Sequence, residues 1–413
     1  MDCNILKSEL NKQTKKFISQ VYPKNGACFT NAVNTIFNGL IHGGNTLVTN
    51  LAAYVDNSKT SSKGMCERVS GWLEKYDFAG PAADWMVSHS ALAVTKKSTI
   101  AVDLSDISKA FGGKGMEGMQ MGYDGSRKTT AMGHTFCAAV VVGESRQSVS
   151  PLCFRFEKGR KETNVRMENT IHTVQEATKG HGILAIDRGA DSERILTFLQ
   201  NIKSRAVVRI NTLKRDVFGN GKNINVHLDA QKRIESKLVK SNGNISAQIS
   251  WDKGCLSDLH NTPMLVVRSE FADRVIYLYA LPGEDTKILN EHPEQFAVEA
   301  AQAYLDRWQI EVFFERIKQD FALESARVRT FKRLKNLYLC VLGYAFCTDF
   351  IPSGTSCTKI LKVFKDNFRQ ITLKMQPFLS SLRVLLEQPR LNFITGRPRK
   401  PINSLDKQML FAF

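Results

Sequence analysis

The chain has 413 residues, 43% of them hydrophobic, which is too long for one ordinary domain and suits two or three packed ones. Lysine and arginine number 57 against 40 acidic residues, and a formal net charge of +17 favours polyanionic partners, nucleic acid first among them. Nine cysteines with no Cys-x-x-Cys pair and no zinc-like spacing to the eight histidines read as reduced thiols, the N-terminus carries no signal-peptide pattern, and the most apolar stretch, Leu337 to Cys347, is shorter than the roughly 20 residues of a membrane span.

Residues 1–95 read as a helical, DNA-binding domain. Leu47 to Tyr54 and Met65 to Tyr76 have apolar residues at helical spacing, separated by a polar, turn-prone run from Asp56 to Lys63. This pair fits a helix-turn-helix with Lys63 and Arg68 near DNA, and equally a plain helical hairpin.

From residue 96 the periodicity changes. Thr99 to Val102, Cys137 to Val142 and Leu152 to Phe156 are short apolar runs expected as strands. A helix over Asn164 to Thr178, a strand over Gly182 to Ile186, a helix over Ser192 to Lys203 and a strand over Ala206 to Ile210 follow. Strands interleaved with helices in this order define an α/β domain with a mixed sheet. Residues 212–285 read as a β-strand insertion, with strands at Ile245 to Trp251, Met264 to Val267 and Val275 to Leu281. One long helix is expected from Glu294 to Phe321, closing a core made of 96–211 and 286–350, and 351–413 is expected as C-terminal helices and a basic tail.

Two expected strands end in aspartate: Asp103 after Ile100-Ala-Val, and Asp187 after Ile183-Leu-Ala-Ile. Strand ends are where α/β sheets place catalytic groups, although an aspartate there also serves simply as a turn or cap. On the long helix, at about 100° per residue, Tyr304, Arg307, Glu311 and Lys318 fall within an arc of roughly 60°, beside the apolar stripe Ile310, Phe313, Ile317 and Phe321. Two strand-end aspartates and a helical glutamate are the oxygen donors that two Mg²⁺ ions, roughly 3.5–4 Å apart, require for phosphodiester chemistry, with Mn²⁺ as a substitute. Glu315 rivals Glu311, and Asp106 rivals Asp103 but lies beyond the apolar run and reads as a turn or cap; Asp191 reads as the cap of the next helix.

The spacing Tyr304-x2-Arg307-x3-Glu311-x6-Lys318 resembles the Tyr-Arg-Glu-Lys motif of bacterial DDE transposases of the insertion-sequence-four type. Ala101-Val102-Asp103 and Ile186-Asp187-Arg188-Gly189 are similar to that family's two aspartate motifs, and a strand-rich insertion before the glutamate is also a trait of the group. The resemblance covers roughly residues 95 to 350. It implies a ribonuclease-H-like core in which Asp103, Asp187 and Glu311 bind metal and catalyse, and in which Tyr304, Arg307, Lys318 and Arg188 contact DNA. It further implies cut-and-paste transposition on terminal inverted repeats and target DNA, a homodimer in the synaptic complex, no membrane partner, and a bacterial cytoplasmic, nucleoid-associated setting. Trp308 fits either stacking on a base flipped from a hairpin end or ordinary packing, and Trp251 is a weaker second candidate.

Three further features carry positive charge. The glycine-rich stretch 112–126 with Lys114 and Arg127 is a surface loop or a DNA contact, but lacks the spacing of a nucleotide-hydrolase phosphate loop. Arg327, Arg329, Lys332, Arg333 and Lys335 form a basic cluster suited to phosphates, and Gly396-Arg397-Pro398 belongs to a basic tail. Two other readings stay open: a catalytically silent, transposase-derived DNA-binding protein, and another ribonuclease-H-like nuclease such as a resolvase.

Overall fold

The computed structural model describes residues 3–43, 45–54, 60–109, 115–124, 129–143, 149–156, 158, 163–241, 243–255 and 263–349. Five helices come first: α1 (Cys3–Val21), α2 (Ala27–Gly43), α3 (Val48–Ala52), α4 (Ser62–Lys75) and α5 (Ala79–Ala91). Strands β1 (Thr99–Ser108), β2 (Gln120–Asp124), β3 (Thr129–Val142) and β4 (Val149–Phe156) precede α6 (Thr163–Thr178), β5 (Ile183–Ile186), α7 (Glu193–Asn201) and β6 (Arg205–Arg209). Next come α8 (Ile224–Asp229), β7 (Ile234–Lys240), β8 (Gly243–Cys255), β9 (Pro263–Glu270) and β10 (Val275–Pro282). The described chain closes with α9 (Ile288–Glu291), α10 (Pro293–Asp306), α11 (Gln309–Gln319), α12 (Phe331–Asn336) and α13 (Leu339–Asp349). The expected C-terminal helices and basic tail of 351–413, Lys114 and Arg127 lie outside the described residues.

The ten strands of the described residues join one mixed sheet in the order β2-β3-β1-β5-β6-β10-β9-β8-β7, with β4 also pairing β3. β1, β5 and β6 run parallel to one another, and the remaining pairings are antiparallel. The strand-rich stretch after residue 212 therefore extends the same sheet, through the antiparallel pairing of β10 with β6. Gln302 of α10 covers the outer edge of β7, accepting from the Val239 N–H at 2.8 Å and donating to its carbonyl at 2.9 Å. A free sheet edge is a template for unwanted pairing, and this side chain occupies part of it.

Alternating residues give the sheet two apolar faces. Ile100, Val102, Leu184, Ile186, Ala206 and Val208 pack against α6, α7 and α8. On the opposite face, Ile183, Val207, Leu278 and Ala280 pack under α10, while Ala101, Phe136, Ala138 and Val140 pack with α11, α13 and the N-terminal helices. Phe17 of α1 and Phe346 of α13 have ring centroids 5.3 Å apart, so the N-terminal helices share this core. Cys340 and Cys347 are buried there, as their helical spacing suggests. Gly182, at φ +95°, sits just before β5; a Cβ there would meet the Ile100 side chain at 2.7 Å, so only glycine lets β5 enter tightly beside β1.

Four expectations about local structure change. The long helix is two helices, because the chain tightens at Arg307 and Trp308: Ile310 N donates to Arg307 O and Glu311 N to Trp308 O, each at 3.0 Å and three residues apart. β1 does not end at Asp103 but continues to Ser108, placing Asp106 inside the strand, opposite Thr135 of β3. The hydroxyl of Ser192, not Asp191, caps α7 by accepting from Ile195 N. Asp191 instead accepts from the backbone N–H groups of Asn211 and Thr212, at 2.6 and 3.1 Å, and pairs with Arg215. β2, β7 and α8 go unannounced by the sequence, being short and largely polar.

Candidate active site

β1 and β5 lie side by side in parallel register, with Val102 opposite Ile186. One step further along each strand come Asp103 and Asp187. Because side chains alternate along a strand, Asp103 falls on the face of Ala101, and Asp187 on the face of Ile183. Both faces lie under α10 and α11. Arg209, at the end of β6, shares that face with Val207 and approaches Asp187 at 3.7 Å.

α10 lays Phe296, Ala297, Ala300, Ala301 and Tyr304 on the sheet, and α11 buries Ile310, Phe313, Phe314 and Ile317. The tight turn between them brings Tyr304, Arg307 and Glu311 over Asp103 in the middle of β1 and Asp187 at the end of β5. The Tyr304 hydroxyl donates to Asp187 Oδ1 at 2.8 Å. Arg307, only 7% exposed, donates from Nη1 to Asp103 Oδ2 at 3.2 Å and from Nη2 to Glu311 Oε1 at 2.7 Å. Its guanidinium also stands over the Tyr304 ring, 5.4 Å from the centroid. Asp103 Oδ1 accepts from the Leu104 N–H at 2.8 Å.

This clustering separates the two aspartates electrostatically. Burial pushes the Asp103 carboxyl up to about 6, and Asp187 and Glu311 push the same way, while Arg307 and the Leu104 N–H pull against them. At Asp187 burial also works upward, but Arg307, the Arg188 N–H, the Tyr304 hydroxyl and Arg209 together hold the carboxyl below its usual range. Burial works against the charge of Arg307, yet Tyr304, Asp187, Asp103 and Glu311 outweigh it and raise the guanidinium further. Arg307 is a fixed cation.

The remaining candidates stand apart from this network. Lys318 pairs with Glu324 at 3.7 Å, beyond the end of α11. Trp308 is 58% exposed beside the cluster, and Arg188 is exposed next to Asp187. Glu315 points to solvent, so Glu311 is the glutamate that α11 turns toward the aspartates. Trp251 is part-buried in β8 and packs against the core under α10. Of the basic cluster, Arg333 pairs with Glu74 at 2.9 Å, whereas Arg327, Arg329 and Lys335 are exposed. The sequence reading missed Arg209; its one signal is its place at the end of a strand next to β5, on the same alternation as Val207.

Among the described residues, no three His, Cys, Asp or Glu side chains are grouped closely enough to hold a metal ion. The donor set nonetheless suits a hard divalent cation: Asp103, Asp187 and Glu311 offer only carboxylate oxygens. Arg307 already takes the position of a shared cation between Asp103 and Glu311.

The Transposase DDE domain family matches residues 95–344, more than half of the chain, and the chain belongs to that family. It is accordingly a transposase. No curated protein matches the chain. Among solved structures, the crystal structure of the NurA nuclease from Sulfolobus solfataricus aligns at 10% identity and a TM-score of 0.27, covering 62% of this chain and 95% of that one, a similarity too low to carry a fold or an activity across. Among the described residues, no helix is long and apolar enough to cross a membrane.

Proposed function

We propose that this transposase is a cut-and-paste enzyme of the insertion-sequence-four type, with a ribonuclease-H-like core and a metal-dependent site made of Asp103, Asp187 and Glu311. The observation that carries the reading is convergence: Arg307 hydrogen-bonds Asp103 of β1 and Glu311 of α11, Tyr304 hydrogen-bonds Asp187 at the end of β5, and the Arg307 guanidinium stands over the Tyr304 ring, so the three carboxylates face one another around these two side chains. Tyr304, Arg307 and Glu311 are three of the four residues in the motif spacing, and the two aspartates stand just past the last parallel pair of β1 and β5, Val102 with Ile186. The antiparallel run β4-β3-β1 followed by parallel β5 and β6, with helices on both faces, supports the ribonuclease-H-like assignment.

Asp103, Asp187 and Glu311 would hold two Mg²⁺ ions, or Mn²⁺ in their place. When bound, such ions supply the Lewis acidity that activates the attacking oxygen and steadies the leaving one. The chain's own groups do the rest. Arg307, with Tyr304 and Arg209, keeps Asp187 ionised, and the Leu104 N–H orients Asp103. Arg188, Arg307 and Lys318 would meet phosphates of the transposon end, with Trp308 offering an exposed ring beside them. Arg327, Arg329 and Lys335, together with Lys63 and Arg68 on α4, would extend contact along the inverted repeats and the target DNA. Two ends joined in one complex call for a homodimer, and the enzyme would act at the nucleoid of a bacterial cytoplasm.

The test is strand cleavage and joining by the full-length protein on the DNA ends that flank its gene, in Mg²⁺. Both steps are expected. DNA binding with no cleavage under any metal would make the chain a silent, transposase-derived binding protein. Hydrolysis without joining would make it a nuclease of the resolvase kind.

A further inference from the structure

We propose that Arg307 is a built-in counter-ion that competes with metal for Asp103 and Glu311, so that metal binding and capture of a DNA phosphate are coupled through the release of this one side chain. The inference rests on the reading of those carboxylates as metal ligands. Its evidence is where the guanidinium lies. A phosphate-binding arginine would face the DNA; this one is turned inward and is almost wholly buried, with one N–H group on Asp103 Oδ2 and another on Glu311 Oε1. Those two oxygens are donors that a metal ion would need. A bound divalent cation would also stand within a few ångströms of a permanent positive charge, in a partly desolvated pocket where repulsion is strong. Metal and inward-facing guanidinium therefore exclude one another.

The position is also one that can be left. Nε of Arg307 is buried and has no hydrogen-bond partner. An unmet buried donor is costly, which weakens the hold of the inward pose. The side chain sits at the tightened turn between α10 and α11, next to Trp308 at the surface. A guanidinium released there presents a planar fork suited to bidentate contact with phosphate. Linkage then works in both directions: phosphate that captures Arg307 unmasks the carboxylates, and metal that displaces Arg307 frees a phosphate ligand. Without metal or DNA, the same arginine keeps three clustered carboxylates from repelling one another.

The test is Mn²⁺ titration of the full-length, chelator-treated protein, read as free Mn²⁺ by electron paramagnetic resonance, with and without duplex DNA. Arg307→Gln is expected to bind Mn²⁺ about tenfold more tightly than the wild type when DNA is absent, the equivalent of losing one charge-assisted competitor. Arg307→Lys, which keeps the charge but not the fork, should fall between the two. Duplex DNA should tighten Mn²⁺ binding more in the wild type than in Arg307→Gln, which has no competitor to relieve. A merely structural role would weaken metal binding in both variants. Should Arg307→Gln fail to fold, Arg307→Lys decides: equal or weaker binding than the wild type overturns the inference. Binding that needs Asp103 and Glu311 but does not tighten in either arginine variant overturns the inference alone. A wild-type protein that binds no Mn²⁺, or binds it equally as Asp103→Asn and Glu311→Gln, overturns the metal-site reading along with it.

Discussion

Arg307 and Asn336 are both buried polar side chains that join separate parts of the chain, and they do so in opposite ways. Asn336, 1% exposed on α12, accepts at Oδ1 from the N–H groups of Phe78 and Ala79, at 2.9 and 3.1 Å. Its Nδ2 donates to the carbonyls of Leu73 and Tyr76, at 2.7 and 2.9 Å. It thereby satisfies the end of α4 and the start of α5 at once, and its amide has no hydrogen-bonding capacity left over. Arg307 contacts carboxylates instead of backbone and keeps one donor unmet. The neutral, fully satisfied group is a fastener. The charged, incompletely satisfied one marks a place where partners can be exchanged.

Breaking the fastener should have the larger effect on stability. Asn336→Leu strands four backbone groups at the α4–α5 junction and is expected to cost about 3 kcal/mol or more in denaturant unfolding. Mn²⁺ affinity of the protein that remains folded should not change. If the junction tolerates leucine with no loss, Asn336 is not the fastener that its geometry describes.

The pH dependence of the site comes next in size. Asp103 holds its proton up to about 6, so metal binding should fall away as pH drops through that value. For stability the sign is the reverse. A carboxyl raised above its unfolded value of 3.8 takes up protons preferentially in the folded state. Its contribution is therefore full below about 4 and lost as pH rises toward 6. Asp187, held low, contributes the opposite way: its stabilisation is present above the ordinary carboxylate range and lost as pH falls through its depressed value. Comparing metal-free unfolding of Asp103→Asn and Asp187→Asn between about pH 2 and 7 separates the two slopes, Asp187's below the ordinary carboxylate range and Asp103's above it.

Smaller changes sharpen the contrast. Tyr304→Phe removes the hydroxyl that donates to Asp187, a loss of about 1 kcal/mol, and should raise the pH at which the stabilisation from Asp187 is lost by less than about one unit while leaving the acid limb of Mn²⁺ binding, set by Asp103, in place. Lys318→Ala should be the mildest. Its pair with Glu324 is partly exposed and contributes little to stability. The expected result is an unchanged Mn²⁺ affinity with a salt slope of DNA binding reduced by about one.

The sequence exposes the two aspartates because each follows a short continuous apolar run that reads as a buried strand, and it exposes Glu311 because the polar members of one helix flank a core stripe. The break at Arg307 is hidden: both Arg307 and Trp308 keep right-handed helical torsions, and nothing in their residue types signals a tightened turn. Helical spacing also groups Lys318 with the site, yet it turns to Glu324, because one face of a helix meets different neighbours along its length. Arg209 and Asn336 are invisible for a further reason. Their roles depend on partners distant in the chain, β5 for one and the α4–α5 junction for the other.

As proposed, Asp103, Asp187 and Glu311 would act as one catalytic set. Mg²⁺-dependent cleavage of the flanking end DNA by Asp103→Asn, Asp187→Asn and Glu311→Gln, with the solvent-facing Glu315→Gln alongside, tests it most directly. Each of the first three should lose activity by about 10³-fold or more, the scale of removing one member of a cooperating set, and Glu315→Gln should remain within about twofold of the wild type. Full activity in any one of the first three would contradict the account.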